Sequence, residues 1–341
     1  MDFHSVSFSK TQLVNLSGKS MPQAKPKPSE IASEAKKTYT PFIQAKYPQF
    51  PPVSISYPDS SRIRLPSRAN AGRKLRVAVI DGDPVDVALD WHDSNIRDRG
   101  AATALASSHP TAIPVVSMAN EKRAGGDWES GLIAPEECLC RRSNLAKVLT
   151  TPSQASGQVP HYPIRTTGGI YSPNVGTFLL LISSRMASLI TAAVVFRSGA
   201  DKGYTVWKVW RALPVISVAP IRRPKLDESG TDYSFSQERE LMKEKMRTVL
   251  RIAAARNHVD LCIGAFGVGF GFRNPAPQVA SMWRELLYCE KEFEGAFENI
   301  VFVLESTANG ASKGGVTDLE TFTKEFDPAI THKTTYRQVS M

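Results

Sequence analysis

The chain has 341 residues, 42% hydrophobic and 22% charged, enough to bury one large core or two modest ones. Its formal charge of +9 is uneven: residues 1–74 hold 12 Lys and Arg against 4 Asp and Glu, and the rest of the chain is nearly neutral. The four cysteines, Cys138, Cys140, Cys262 and Cys289, lack the paired spacing of a zinc site or a disulfide framework. They read as reduced core thiols of an intracellular protein.

Residues 1–28 lack apolar periodicity and read as a disordered basic leader, a solvated tail or a weak tether for a polyanion. No signal-peptide pattern opens it. Residues 29–46 predict a short helix capped by Ser29, with Ile31, Ala35 and Tyr39 on one face and an end or kink at Pro41. Five prolines in 47–70 predict an extended connection to the first buried strand at 75–80. The turn Asp81-Gly82-Asp83-Pro84 follows, and Asp83 is placed to cap the next helix. Further short apolar runs near 113–118, 214–218, 260–266 and 300–304 alternate with helical patterns, which predicts an α/β sheet with covering helices.

Three segments carry the chemistry. In the first, Ala124-Gly125-Gly126-Asp127-Trp128 precedes Pro135-Glu136-Glu137 and then Leu139-Cys140-Arg141-Arg142-Ser143. Bare backbone at Gly125 and Gly126 lets a ligand approach, and paired carboxylates can divide sugar binding from proton transfer. Pro135 fits the first position of a helix, where two carboxylates also complement the helix dipole without any ligand. In the second, Phe178 to Phe196 is long and apolar with Arg185 as its one charge. It is just long enough to span a bilayer, and reads as a membrane-active segment or as a surface or core helix. In the third, the strand ending near Phe266 runs into Gly267-Val268-Gly269-Phe270-Gly271-Phe272 and a helix opened by Pro275 or Pro277. Such a unit can cradle phosphate on free N–H groups, and it also occurs as a plain tight turn. The helix at about 237–256 places Met242, Met246, Val249, Leu250 and Ala253 at core spacing, with Asn257 as its terminator.

The run from Met118 through Ser143 resembles the signature of the microbial-type poly(ADP-ribose) glycohydrolases, which reads GGG, then QEE and LCRRS. The resemblance covers about 75–305, with weaker matching at 30–60 and its greatest specificity at 118–143. Asp127 stands for the third glycine, Pro135 for the glutamine and Ser117 for an asparagine. The halves Tyr171-Ser172-Pro173-Asn174-Val175 and Val194-Val195-Phe196-Arg197 are similar to one continuous family motif, which implies an insertion at about 177–193, with a retained intron as one source.

That resemblance implies a macrodomain-like three-layer α/β sandwich with a mixed, mostly parallel sheet. It implies hydrolysis of ribose–ribose O-glycosidic bonds of poly(ADP-ribose), releasing ADP-ribose without metal or other cofactor. Glu137 would be the acid that protonates the leaving oxygen and then activates water, and Glu136 would hold ribose hydroxyls. Asn120, Gly125, Gly126 and Asp127 would contact the substrate. Gly264, Gly267, Val268 and Gly269 would wrap the diphosphate, with Phe270 or Phe272 stacking and Asp83 reaching the adenine amino group. Asp127 needs Arg123, Lys122 or Arg141 to neutralise it beside a diphosphate. The alternative is an ADP-ribose reader that binds without cleaving. The expected organisation is a leader (1–28), a helix and connection (29–70), a catalytic domain (71–305) and a tail (306–341). The expected partners are poly(ADP-ribose) or ADP-ribosylated proteins, with no specific nucleic acid and no membrane.

Overall fold

The computed structural model describes residues 26–46, 48, 51–65, 74–99, 112–153, 160–173, 193–306 and 316–327. Among these residues nine strands run in chain order: β1 (Ile55–Tyr57), β2 (Arg76–Asp81), β3 (Val115–Met118), β4 (Gly169–Ser172), β5 (Ala193–Arg197), β6 (Val206–Leu213), β7 (Val215–Val218), β8 (Asp260–Ile263) and β9 (Asn299–Leu304). The helices are α1 (Pro28–Glu34), α2 (Thr40–Lys46), α3 (Pro84–Arg99), α4 (Pro135–Arg142), α5 (Leu145–Leu149), α6 (Ser236–Ala255), α7 (Ala276–Tyr288) and α8 (Asp318–Glu325).

Seven strands form one sheet in the order β1-β4-β7-β3-β8-β9-β2. The five apolar runs expected from the sequence are its five parallel strands, and β1 and β4 add an antiparallel edge. Alternation along each strand feeds two cores. Val116, Met118, Ile216, Val218, Leu261 and Ile263 face α6, α7 and α8, while Val115, Val215 and Cys262 face α1 to α5. Both faces are covered, which makes the molecule a three-layer sandwich and explains why β7, β3 and β9 carry no charge and β8 only Asp260 at its start.

Several expectations shift in detail. The strand predicted to 266 ends at Ile263, because Gly264 begins the glycine loop. Lys27, not Ser29, is the N-cap of α1, and Glu30 accepts the Lys27 N–H at 2.9 Å. A π-helical turn, Ala35–Tyr39, joins α1 to α2 immediately ahead of Pro41, whose missing N–H disturbs the ladder there. Met242, Met246, Val249, Leu250 and Ala253 are fully buried as expected, and Asn257 closes α6 with φ of +58°. No cysteine is in a disulfide, but Cys289 lies exposed just beyond α7 instead of in the core.

The folded body extends further at both ends than the sequence suggests. β1 pairs with β4 inside the sheet. At the other end α8 inserts Phe322 and Phe326 against Phe302, with ring centroids 5.4 and 4.8 Å apart, so residues assigned to the tail complete a core. The expected insertion lies outside the described residues up to 192, and β5 begins at 193. Among the described residues no helix is long and apolar enough to cross a membrane.

Candidate active site

Parallel pairing puts the C-terminal ends of β2, β3, β7, β8 and β9 on one edge of the sheet, where α/β proteins bind ligands. Because β3 pairs directly with β8, the loop that follows β3 (119–134) lies beside the glycine loop that follows β8 (264–275). Two of the three sequence segments thus meet in space although some 140 residues separate them.

The loop after β3 folds around the two glutamates at the start of α4. Pro135 occupies the first turn of α4, as its spacing predicts. Glu136 and Glu137 are 3% and 6% exposed, unusual for carboxylates and therefore in need of partners. Glu136 accepts the N–H of Asn120 at 2.6 Å and of Gly125 at 3.1 Å, one on each oxygen. Glu137 accepts the N–H of Asp127 at 3.2 Å. Gly125 and Gly126 have φ of +73° and +56°, and a Cβ at Gly126 would collide with the Glu137 carboxylate. Backbone N–H groups are thereby brought to the acids where a side chain would exclude them. Burial pushes the Glu136 pKa up to about 8; the two N–H bonds oppose that rise, and the neighbouring Glu137 charge adds to it.

Asn120 uses its amide oxygen to close its own turn, accepting from the N–H groups of Lys122 and Arg123 at 2.9 and 3.1 Å. Asp127 pairs with Arg123 at 2.6 Å, so one of the three cations proposed from the sequence is in contact with it. Arg141 is fully buried and instead donates to the carbonyls of Trp128 and Ser130, both at 2.9 Å, which fixes the far limb of the loop.

In the glycine loop, Gly267 and Gly269 have φ of +81° and +86°. A Cβ on Gly267 would collide with the Cε of the fully buried Met242, so packing as well as the positive φ favours glycine here. The Gly267 N–H meets Met118 Sδ at 3.1 Å, which ties the loop to the end of β3. Gly264 lies over Pro84, and Val268 is buried. Of the two aromatic candidates, Phe272 is half-buried in the core flank, whereas Phe270 is 77% exposed with the Arg273 guanidinium 4.9 Å from its ring.

Asp83 does cap α3, accepting the N–H groups of Val85 and Asp86, both at 2.9 Å. The same carboxylate oxygen also receives Arg142 at 3.0 Å. Arg142 is buried, bonds Asp86 and the Arg197 carbonyl as well, and so clamps α4 to the turn after β2. That clamp was not anticipated, although Arg142 stands in the motif that drew attention to the region. Asn274 was missed too: its amide donates to the carbonyls of Gly267 (2.7 Å) and Ile221 (2.8 Å) and accepts from the Tyr233 hydroxyl (2.9 Å). No local pattern marks Asn274 or Tyr233, because their partners are 41 residues apart. Among the described residues no cluster of His, Cys, Asp and Glu could hold a metal ion.

A parallel sheet between two helical layers, with carboxylates and glycine loops at its carboxyl edge, defines a macrodomain-like α/β protein. Within it, residues 54–179 match the family described as Microbial-type PARG, catalytic domain. The fold is similar to that of a poly(ADP-ribose) glycohydrolase from Thermomonospora curvata, with 21% identity and a TM-score of 0.59, covering 88% of this chain and 99% of that one. The same bacterial protein bound to the inhibitor ADP-HPD gives 21% identity, a TM-score of 0.57 and the same coverage. The Deinococcus radiodurans poly(ADP-ribose) glycohydrolase in complex with ADP-ribose gives 22% identity and a TM-score of 0.54, over 80% of this chain and 94% of that one. No curated protein sequence matches.

Proposed function

We propose that the protein hydrolyses ribose–ribose O-glycosidic bonds of poly(ADP-ribose) and releases ADP-ribose. The observation that carries this reading is the buried Glu136–Glu137 pair held by the N–H groups of Asn120, Gly125 and Asp127 at the carboxyl edge of the sheet. The matching family segment and the similar bacterial enzymes support it. Glu137 protonates the oxygen that leaves as the anomeric C–O bond breaks. Water then adds to the anomeric carbon and returns its proton to the same carboxylate. Glu136 receives ribose hydroxyls. Burial raises the Glu136 pKa, and ribose hydroxyls that donate to its carboxylate favour the ionised form. Gly264, Gly267, Val268 and Gly269 cradle the diphosphate on backbone N–H groups, with Phe270 or Phe272 stacking on the nucleoside.

A reader that binds ADP-ribose without cleaving it is the second reading, and Asp127 favours it: a half-exposed carboxylate borders the cleft even after pairing with Arg123. Incubating the protein and Glu137→Gln with labelled poly(ADP-ribose) separates the two. Release of ADP-ribose by the parent chain, falling at least 100-fold in the variant, is expected for the glycohydrolase. ADP-ribose binding with no release by the parent chain would establish the reader.

A further inference from the structure

The loop after β7 (219–235) and the glycine loop form one continuous rim. The Arg223 N–H donates to the Phe272 carbonyl at 2.6 Å, and Asn274 reaches the Ile221 carbonyl. On this rim Arg222, Arg223, Lys225 and Arg273 are exposed, and no ion pair joins any of them to a carboxylate among the described residues. Glu238 of α6 accepts the backbone N–H of Lys225 at 3.0 Å, and the bridge between Leu226 and Tyr233 folds 227–232 into its own hairpin. There Asp227 is occupied by the Ser229 hydroxyl and the N–H groups of Thr231 and Asp232. Two aromatic rings stand among the cations. Phe270 is 77% and Phe235 49% exposed, with Arg273 over the first at 4.9 Å and Lys225 over the second at 5.5 Å.

Cations without a carboxylate partner among the described residues, alternating with exposed π-faces, suit a flexible polyanion whose bases are unstacked. Poly(ADP-ribose) has this chemistry, with an adenine and a diphosphate in every unit. We propose that the rim of Arg222, Arg223, Lys225, Arg273 and Phe235 is a second subsite that holds a stretch of the polymer lying outside the catalytic cleft. It rests on the glycohydrolase or reader assignment above, since the rim continues from the loop proposed to hold the diphosphate.

The test uses the full chain, an Arg222→Ala/Arg223→Ala/Lys225→Ala variant and, separately, Phe235→Ala. Affinities for long poly(ADP-ribose) and for monomeric ADP-ribose are measured as a function of salt. The triple variant is expected to bind the polymer about tenfold more weakly and to flatten the salt dependence by about two units of log–log slope. Its affinity for monomeric ADP-ribose stays within about twofold. Phe235→Ala weakens polymer binding severalfold with the salt slope unchanged. Equal losses for polymer and monomer, or no loss for either, would overturn the subsite while leaving the function intact. Competition by a polyadenylate RNA as strong as by the polymer itself would make the rim a general nucleic-acid surface and overturn its assignment. A parent chain that binds neither ligand would overturn the functional reading and the subsite together.

Discussion

Gly126 shows why single positions decide this site. Its φ of +56° strains an L residue, and a Cβ there would collide with Glu137 Oε1, so a side chain must displace the acid. Gly126→Ala is therefore expected to reduce turnover at least 100-fold with a modest fall in thermal stability, as checked by a polymer-release assay and a melting curve. Glu136 makes a different prediction. Its folded-state pKa of about 8 lies above the ordinary carboxylate value, so its contribution to stability is present below about pH 4.5 and is lost as pH rises through about 8. Glu136→Gln removes that titration and should flatten the decline of the unfolding free energy across this window. Denaturation at a series of pH values reads the effect, and an unaltered decline would remove Glu136 as its source. At the same scale, the sequence made the acids and glycines legible because they are adjacent in the chain. It could not select among Arg123, Lys122 and Arg141 as the partner of Asp127. The choice depends on where the guanidiniums point, and the structure sends Arg141 into the core and Arg123 to the carboxylate.

Among the elements, α4 and the glycine loop are each braced by a side chain with no part in the proposed chemistry, Arg142 and Asn274. Arg142 joins α4 to Asp83 and Asp86 and stacks its guanidinium 5.6 Å from the Trp207 ring centre. Removing one partner of a buried charge cluster is costly, and Arg142→Ala should lose about 3 kcal/mol of stability together with activity, measured by chemical denaturation. Asn274 is the corresponding brace of the glycine loop. Asn274→Ala leaves the Gly267 and Ile221 carbonyls and the Tyr233 hydroxyl without this partner, and ADP-ribose affinity is expected to fall about tenfold with folding retained. Calorimetric titration of the variant with ADP-ribose checks this; an unchanged affinity would remove the loop from the binding site. Periodicity identified α6 and the five parallel strands because each is apolar enough to read alone. It passed over β1, β4 and β6, whose short or mixed patterns become strands only when a neighbour supplies hydrogen bonds.

For the molecule as a whole, the core depends on segments that lie far from the motif. α8 fills the outer side of β9, with Phe322 wholly buried against Phe302. Phe322→Ala should cost about 3–5 kcal/mol, and a melting curve on the full chain would show whether the C-terminal helix belongs to the cooperative unit. The N-terminal helices are tied in by Arg197, which bonds Glu34 and the Ile31 carbonyl and lies 4.7 Å from the Tyr39 ring centre. By itself the sequence determined the α/β class, the run of parallel strands, the paired acids behind a glycine turn and the second glycine loop. These follow from residues close together in the chain, where hydrophobic period, helix-start chemistry and steric freedom act locally. Only the tertiary structure decided that the two loops share one edge, which cation answers Asp127, that Asn274 and Arg142 brace the site, and that α1 to β1 and α8 complete the body. Those outcomes depend on strand order and on side chains meeting across tens to hundreds of residues, which no local period encodes.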